Sequence, residues 1–231
     1  MIGFYGYPNE EILDKYKDKE LIDLDIDYNN PQNNILTNTS CAIINNIINN
    51  ALFLKNKLEL IICSTGNEKC DQGRIVYNIL KDIGFNVIKS ENNNKIRSEI
   101  KISRSYMPLR KKINLITQGI IKKEKLELQI CKPSVGFWGV PPNDLRLLDL
   151  FPDDTHVYGW LRCVEASCPS DLELELYVNR NIKTVFFSQS FCSKQILAKY
   201  LADKYNGLYI DINRKVSIST LSKVEAFIKF S

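Results

Sequence analysis

The stretch from Leu58 to Ile88 constrains the fold more than any other. Leu58-Glu59-Leu60-Ile61-Ile62-Cys63-Ser64 is an apolar run too short for a buried helix, which marks it as a strand inside a sheet. A loop from Thr65 to Gly73 leads into a helix over Arg74–Ile83, closed by Gly84, and Phe85-Asn86-Val87-Ile88 reads as the next strand. Strand, helix, strand at these lengths is a parallel βαβ unit, and parallel strands must be covered on both faces. The chain is thereby committed to an α/β architecture.

The same alternation runs to both ends. Ile2-Gly3-Phe4-Tyr5 reads as a strand ended by Gly6 and Pro8, and Asn9 before Glu10 and Glu11 caps a helix reaching Tyr16. Ile22, Leu24 and Ile26 alternate with acids as a second strand, followed by an Asn-rich loop and a helix from near Ser40, with apolar pairs at helical spacing from Cys41 to Leu54. Beyond a basic stretch from Lys95 to Lys125, with a helix after Pro108, strands are expected at Val135–Trp138, His156–Tyr158, Thr184–Phe187 and Leu208–Ile212. Helices are expected at Asp144–Leu150, Leu172–Val178, Lys194–Tyr205 and Leu221–Phe230. The resulting expectation is two lobes, each a parallel-sheet unit of Rossmann or flavodoxin type. Residues 1–95 form the N-terminal lobe, 96–132 a basic interlobe segment and 133–231 the C-terminal lobe. No internal sequence repeat is evident, although the two lobes are free to share architecture.

Charge and cysteine usage then narrow the chemistry. In 231 residues, 31 basic groups stand against 27 acidic ones, mixed along the chain, so a nucleic-acid partner is not implied. The start carries no basic region leading into an apolar one, and no run of 18 apolar residues occurs, so the expectation is a cytoplasmic protein with no membrane partner. Seven cysteines in such a compartment point to metal ligation or redox chemistry rather than disulfides. One histidine, His156, argues against a site built on several imidazoles, while thiolates suit iron–sulfur clusters or zinc.

Ligands of parallel α/β sheets collect outside the carboxyl ends of the strands. Cys41 in Thr39-Ser40-Cys41, Cys70 in Cys70-Asp71-Gln72-Gly73, and Cys192 after the strand Thr184–Phe187 all fall there. Helix starts also favour the thiolate, the form that binds metal. Cys63 belongs to a buried strand and reads as a core residue. Cys131, Cys163 and Cys168 are divided evenly between core and ligation, the last two lacking the CxxC spacing of a zinc knuckle.

These motifs, in this order, resemble the family of activator-driven 2-hydroxyacyl-CoA dehydratases and benzoyl-CoA reductase subunits, over most of the chain. Tyr7-Pro8-Asn9-Glu10-Glu11-Ile12-Leu13 is similar to the family's Pro-Glu-Glu segment. Ser40-Cys41, Cys70-Asp71-Gln72-Gly73 and Gln189-Ser190-Phe191-Cys192 resemble its three cysteine motifs. Tyr209-Ile210-Asp211 followed by Lys223-Val224-Glu225-Ala226-Phe227-Ile228 resembles its terminal strand and helix. The resemblance implies a 4Fe–4S cluster held between the lobes by Cys41, Cys70 and Cys192, with Cys131, Cys163 and Cys168 as additional candidates. It implies reductive radical chemistry on an acyl-CoA substrate, driven by low-potential electrons from an ATP-dependent iron–sulfur activator, and a related second subunit or homodimer as partner. The chain is shorter than typical family subunits, and Gly136–Asp144 and Arg162–Cys168 match none of the family's motifs. A second reading is therefore a non-enzymatic electron-transfer or metallocofactor-assembly accessory of an anaerobe, with a larger or second cluster. A third is a plain α/β binding module whose cysteines are all core.

The remaining candidates have structural readings. His156 satisfies a loop hydrogen bond, Trp138 and Trp160 pack, Glu165 is a solvated acid, and the lysines and arginines of 95–125 form a solvated helix face. Gly3, Gly6, Gly136 and Gly139 lack the GxGxxG spacing of a dinucleotide fingerprint.

Overall fold

The computed structural model describes residues 1–32, 35–36, 40–122 and 126–230. Thr39 of the Thr39-Ser40-Cys41 junction, residues 123–125 at the end of the basic stretch, and Ser231 lie outside the described residues. The chain divides into two compact units, Met1–Asn94 and Lys95–Ser231. The 96–132 segment is thus part of the second unit.

In the first unit, β1 (Ile2–Tyr5), β2 (Leu21–Asp23), β3 (Leu60–Ser64) and β4 (Val87–Ser90) form one parallel sheet in the order β2-β1-β3-β4. Helices α1 (Glu10–Asp14), α2 (Ala42–Phe53) and α3 (Asp71–Asp82) make the crossovers. All of β1 and β3 is buried, as central parallel strands require. Asn9 caps α1 by accepting the Glu11 N–H at 2.8 Å.

In the second unit, β5 (Gly136–Trp138), β6 (His156–Tyr158), β7 (Thr184–Ser188) and β8 (Leu208–Asp211) form a parallel sheet in the order β6-β5-β7-β8. Its helices are α4 (Leu109–Gln118), α5 (Trp160–Glu165), α6 (Leu172–Leu176), α7 (Gln195–Lys204) and α8 (Ile218–Phe230). Leu145–Leu150, expected as an α-helix, is a 3-10 segment, and α5 is an addition whose consecutive buried residues Leu161, Arg162, Cys163 and Val164 leave no polar face to mark a helical period. Trp138, Tyr158, Phe186, Ala198, Leu201 and Ala202 form a core cluster in which the Trp138 indole N–H donates to the Glu175 carbonyl at 2.7 Å.

The two sheets have the same strand order, and the chain carries a repeat to match. Gly3-Phe4-Tyr5-Gly6-Tyr7-Pro8 at the end of β1 returns as Gly136-Phe137-Trp138-Gly139-Val140-Pro141 at the end of β5. Gly6 and Gly139 both take positive φ, 76° and 156°. The absence of a repeat read from the sequence is corrected: the signal is six residues long and separated by more than a hundred others, so it emerges only when the strands are superposed by order.

Candidate functional site

In each sheet the chain leaves the first strand in one direction and returns on its other side. The crevice at that reversal, outside the carboxyl ends of β1 and β3, is where ligands of open α/β sheets bind. In the first unit it is bordered by Gly6, by the loop from Thr65 to Cys70, and by the starts of α2 and α3.

Cys41 and Cys70 are the residues at which α2 and α3 begin, and neither side chain caps its helix. The two starts are joined directly, since the Cys41 N–H donates to Gln72 Oε1 at 3.3 Å. Cys41 is 6% exposed, whereas Cys70 is exposed. The approach to Cys41 is held by the asparagines of α2. Asn50 Nδ2 donates to the Leu24 and Ile26 carbonyls at 2.9 and 2.8 Å, and Asn46 Nδ2 to the Asp25 carbonyl at 3.0 Å. Asn45 Nδ2 donates to the Ser40 and Cys41 carbonyls, both at 3.2 Å. Buried amides on a helix are stable only when so engaged, and here they fasten the β2–α2 connection from which Cys41 emerges. In the sequence, the only signal of this polar anchoring is the four-residue spacing of the Asn pairs at 45–46 and 49–50, which the apolar pairs of the same helix mask.

The α3 start has its own logic. A Cβ on Gly73 would meet the Lys69 side chain at 2.5 Å, so the bare glycine lets that side chain lie across the helix. Lys69 Nζ then reaches the Tyr5 ring, 5.1 Å from its centroid, and Asp25 Oδ1 at 3.6 Å. The Tyr5 hydroxyl donates to the Gly73 carbonyl at 3.1 Å, and Asp25 Oδ2 accepts the Gly6 N–H at 2.7 Å. Asp23, whose carboxylate accepts the Asp25 N–H at 2.9 Å, has its carboxyl pushed up by burial and by the Asp25 charge.

Cys192 lies in the second unit, in the loop after β7 that corresponds to the loop after β3 carrying Cys70. It follows Phe191, a bulky residue at φ 65°, and its carbonyl accepts the Gln195 N–H at 3.0 Å as α7 begins. Asp211 at the end of β8 ties this loop down through Ser190 Oγ and Gln195 Nε2. Lys194, two residues on, pairs with the buried Glu175 carboxylate at 2.6 Å.

Of the other cysteines of the second unit, Cys131 and Cys163 engage backbone carbonyls through their thiols. The Cys163 thiol, inside α5, donates to the Asp171 carbonyl at 3.5 Å, and burial pushes it up to about 12. Cys168 is buried, with its thiol also raised by burial. Cys131 Sγ donates to the Arg104 carbonyl at 3.4 Å and lies 3.9 Å from His156 Nε2. That nitrogen sits 3.0 Å from the Cys131 carbonyl and so carries a proton; burial lowers the imidazole to about 4, keeping it neutral. His156 therefore serves the loop hydrogen bond expected of it. In the first unit Cys63 is fully buried in β3, as its place in the apolar run implied, with its thiol up to about 12.

Two polar expectations are corrected. Glu165 is not a solvated acid: it accepts the N–H groups of Lys101 and Ser103, at 2.7 and 2.9 Å, and of Ile102, locking the 3-10 turn Ile102–Arg104. Lys112 departs from the solvated face of α4. It is fully buried, donates to the Asp153 carbonyl at 3.0 Å and to the Thr155 carbonyl, and burial lowers it to about 8.

All seven cysteines are outside disulfides. Among the described residues no three His, Cys, Asp or Glu side chains are gathered as a metal-binding group, and no helix is long and apolar enough to cross a membrane. Cys41 and Cys70 nonetheless offer the donors that an iron–sulfur cluster takes, thiols at the starts of two helices on the carboxyl side of a parallel sheet. No family model matches the chain, and no curated protein matches it in sequence.

Proposed function

We propose that the chain is an iron–sulfur protein, a cluster-bearing subunit of a reductive enzyme akin to the 2-hydroxyacyl-CoA dehydratases and benzoyl-CoA reductases, with Cys41, Cys70 and Cys192 as ligands. The observation that carries this reading is the pair of thiols at the starts of α2 and α3, tied together through Gln72 at the carboxyl edge of a parallel sheet. When bound, a cluster of this kind supplies low-potential one-electron chemistry and an iron position open to a substrate oxygen.

The chain's own residues hold and orient. The α2 asparagines fix the approach to Cys41, Gly73 and Lys69 shape the turn behind Cys70, and Asp211 with the Glu175–Lys194 pair steadies the loop of Cys192. The proposal extends to a second subunit or second copy of the chain, an ATP-dependent activator, an acyl-CoA substrate and a cytoplasmic setting.

The test is single replacement of Cys41, Cys70 and Cys192 by Ala in oxygen-free preparations, with Cys163→Ala as the control. Each of the first three should lose most of its iron and visible absorbance, and the control should retain them. Retention through all three changes would sink the ligand assignment. The accessory reading draws on Cys131, the partly exposed thiol beside His156. It requires iron beyond one cubane and no response to acyl-CoA.

A further inference from the structure

Just beyond the basic stretch, the second unit holds a segment that is paired along one edge only. Ser105 and Ile130 form an isolated antiparallel bridge, in which the Tyr106 N–H donates to the Gln129 carbonyl at 2.9 Å and the Cys131 N–H to the Arg104 carbonyl at 3.0 Å. These bonds flank Ile130, so its own N–H and carbonyl point away from residues 104–106. By the alternation of an extended chain, those of Leu128 and Leu126 point the same way. Among the described residues, the N–H and carbonyl groups of Leu126, Leu128 and Ile130 have no backbone partner.

An edge of this kind is a template for another strand. Residues 126–130 are Leu-Glu-Leu-Gln-Ile, without the Lys, Pro or Gly that discourages pairing. Their apolar side is open as well. Ile130 is 47% exposed and Leu126 37%, and Leu126 and Leu128 border a groove of about 740 Å³ together with Ile102, Leu115, Ile116 and Ile121. Apolar side chains gathered beside unused backbone groups mark a contact surface.

The order of the residues selects the occupant. The segment reads nearly the same in both directions about Leu128, so a second copy lying antiparallel on a two-fold axis through Leu128 meets its own complement. Leu128 then faces Leu128 and Leu126 faces Ile130, each pair exchanging its outward N–H and carbonyl groups. Glu127 faces Gln129 at a pair without backbone bonds, where side chains approach most closely, and the Gln129 amide donates to the Glu127 carboxylate. Both residues are exposed and free to meet in this way. The leucines and isoleucines of the two copies share one face, along the groove.

We infer that residues 126–130 are a self-pairing edge through which two copies of this chain associate as an antiparallel ribbon. The surface uses none of Cys41, Cys70 and Cys192, so it stands whether or not they hold a cluster.

The experiment is sedimentation equilibrium of the full, metal-free chain, with reductant to keep Cys131 out of disulfides. A strand pair lies at the small end of interface areas, so a dimer with a dissociation constant on the order of 10–100 μM is expected. Gln129→Glu sets carboxylate against carboxylate and should weaken the dimer at least about tenfold. Adding Glu127→Lys to that variant replaces the repulsion with an ion pair and should restore the dimer. Amide hydrogen exchange at Leu128 and Ile130 should slow as the concentration is raised through the same range. A dimer indifferent to Gln129→Glu, a double variant as weak as Gln129→Glu alone, or Leu128 and Ile130 amides whose exchange ignores concentration would overturn the inference. So would a chain that stays monomeric up to about 500 μM, which would leave the edge to a strand of another protein.

Discussion

Cys63 and Cys163 are buried thiols pushed up to about 12, so both stay protonated at neutral pH and donate rather than ligate. Cys70 stands exposed at a helix start. In the metal-free chain, iodoacetamide followed by mass spectrometry should therefore label Cys70 at least about tenfold faster than Cys63, Cys163 or Cys168, which react only after unfolding. Equal rates would mean that the buried thiols open readily. His156 makes a pH prediction. Its folded value, about 4, lies below the ordinary imidazole value near ~6.5, so its contribution to stability is present above ~6.5 and is lost as pH falls through about 4. The thermal midpoint of the second unit should fall across that window, and His156→Gln, which keeps a donor for the Cys131 carbonyl but cannot titrate, should flatten the fall. An unchanged pH profile in the variant would show that another group controls acid sensitivity.

Two elements hold the candidate ligands by polar rather than apolar contacts. Replacing Asn50 by Ala strips the Leu24 and Ile26 carbonyls of their donor and should cost the first unit about 1–3 kcal/mol in denaturant unfolding. A loss below a few tenths would mean that water replaces the amide freely. Lys194→Met leaves the Glu175 carboxylate, 0% exposed, without its cation, and should cost the second unit about 3 kcal/mol while loosening the Cys192 loop. Stability unchanged in Lys194→Met would show that Glu175 takes up a proton instead. These elements also mark the limits of what was legible. The apolar run of β3 and the βαβ spacing announced the parallel sheet because burial on both faces leaves a continuous hydrophobic signature. The Cys70 and Cys192 loops followed from strand ends. Burial of Asn50, Lys112 and Glu175 was invisible because each is a polar residue whose partner is a distant carbonyl or charge, and no local pattern encodes a long-range partner. The orphaned hydroxyls of Ser64 and Thr65 were unreadable for the same reason.

At the scale of the whole chain, two units of one strand order each carry a Gly-Phe-aromatic-Gly-x-Pro turn after the first strand and a cysteine in the loop after the third. They are not equivalent in chemistry. The first unit adds Cys41 and the α2 asparagines, and its Ser64 and Thr65 hydroxyls lie buried without a hydrogen bond, whereas the corresponding turn of the second unit is closed by Gln189, whose Nε2 donates to the Pro141 carbonyl at 3.2 Å. The central claim is that the thiols at these strand ends hold an iron–sulfur cluster, and iron and acid-labile sulfide per chain, with an electron paramagnetic resonance spectrum after dithionite reduction of oxygen-free protein, tests it most directly. The account predicts about four of each, with a reduced-cluster signal; a colourless chain with neither iron nor sulfide would contradict it.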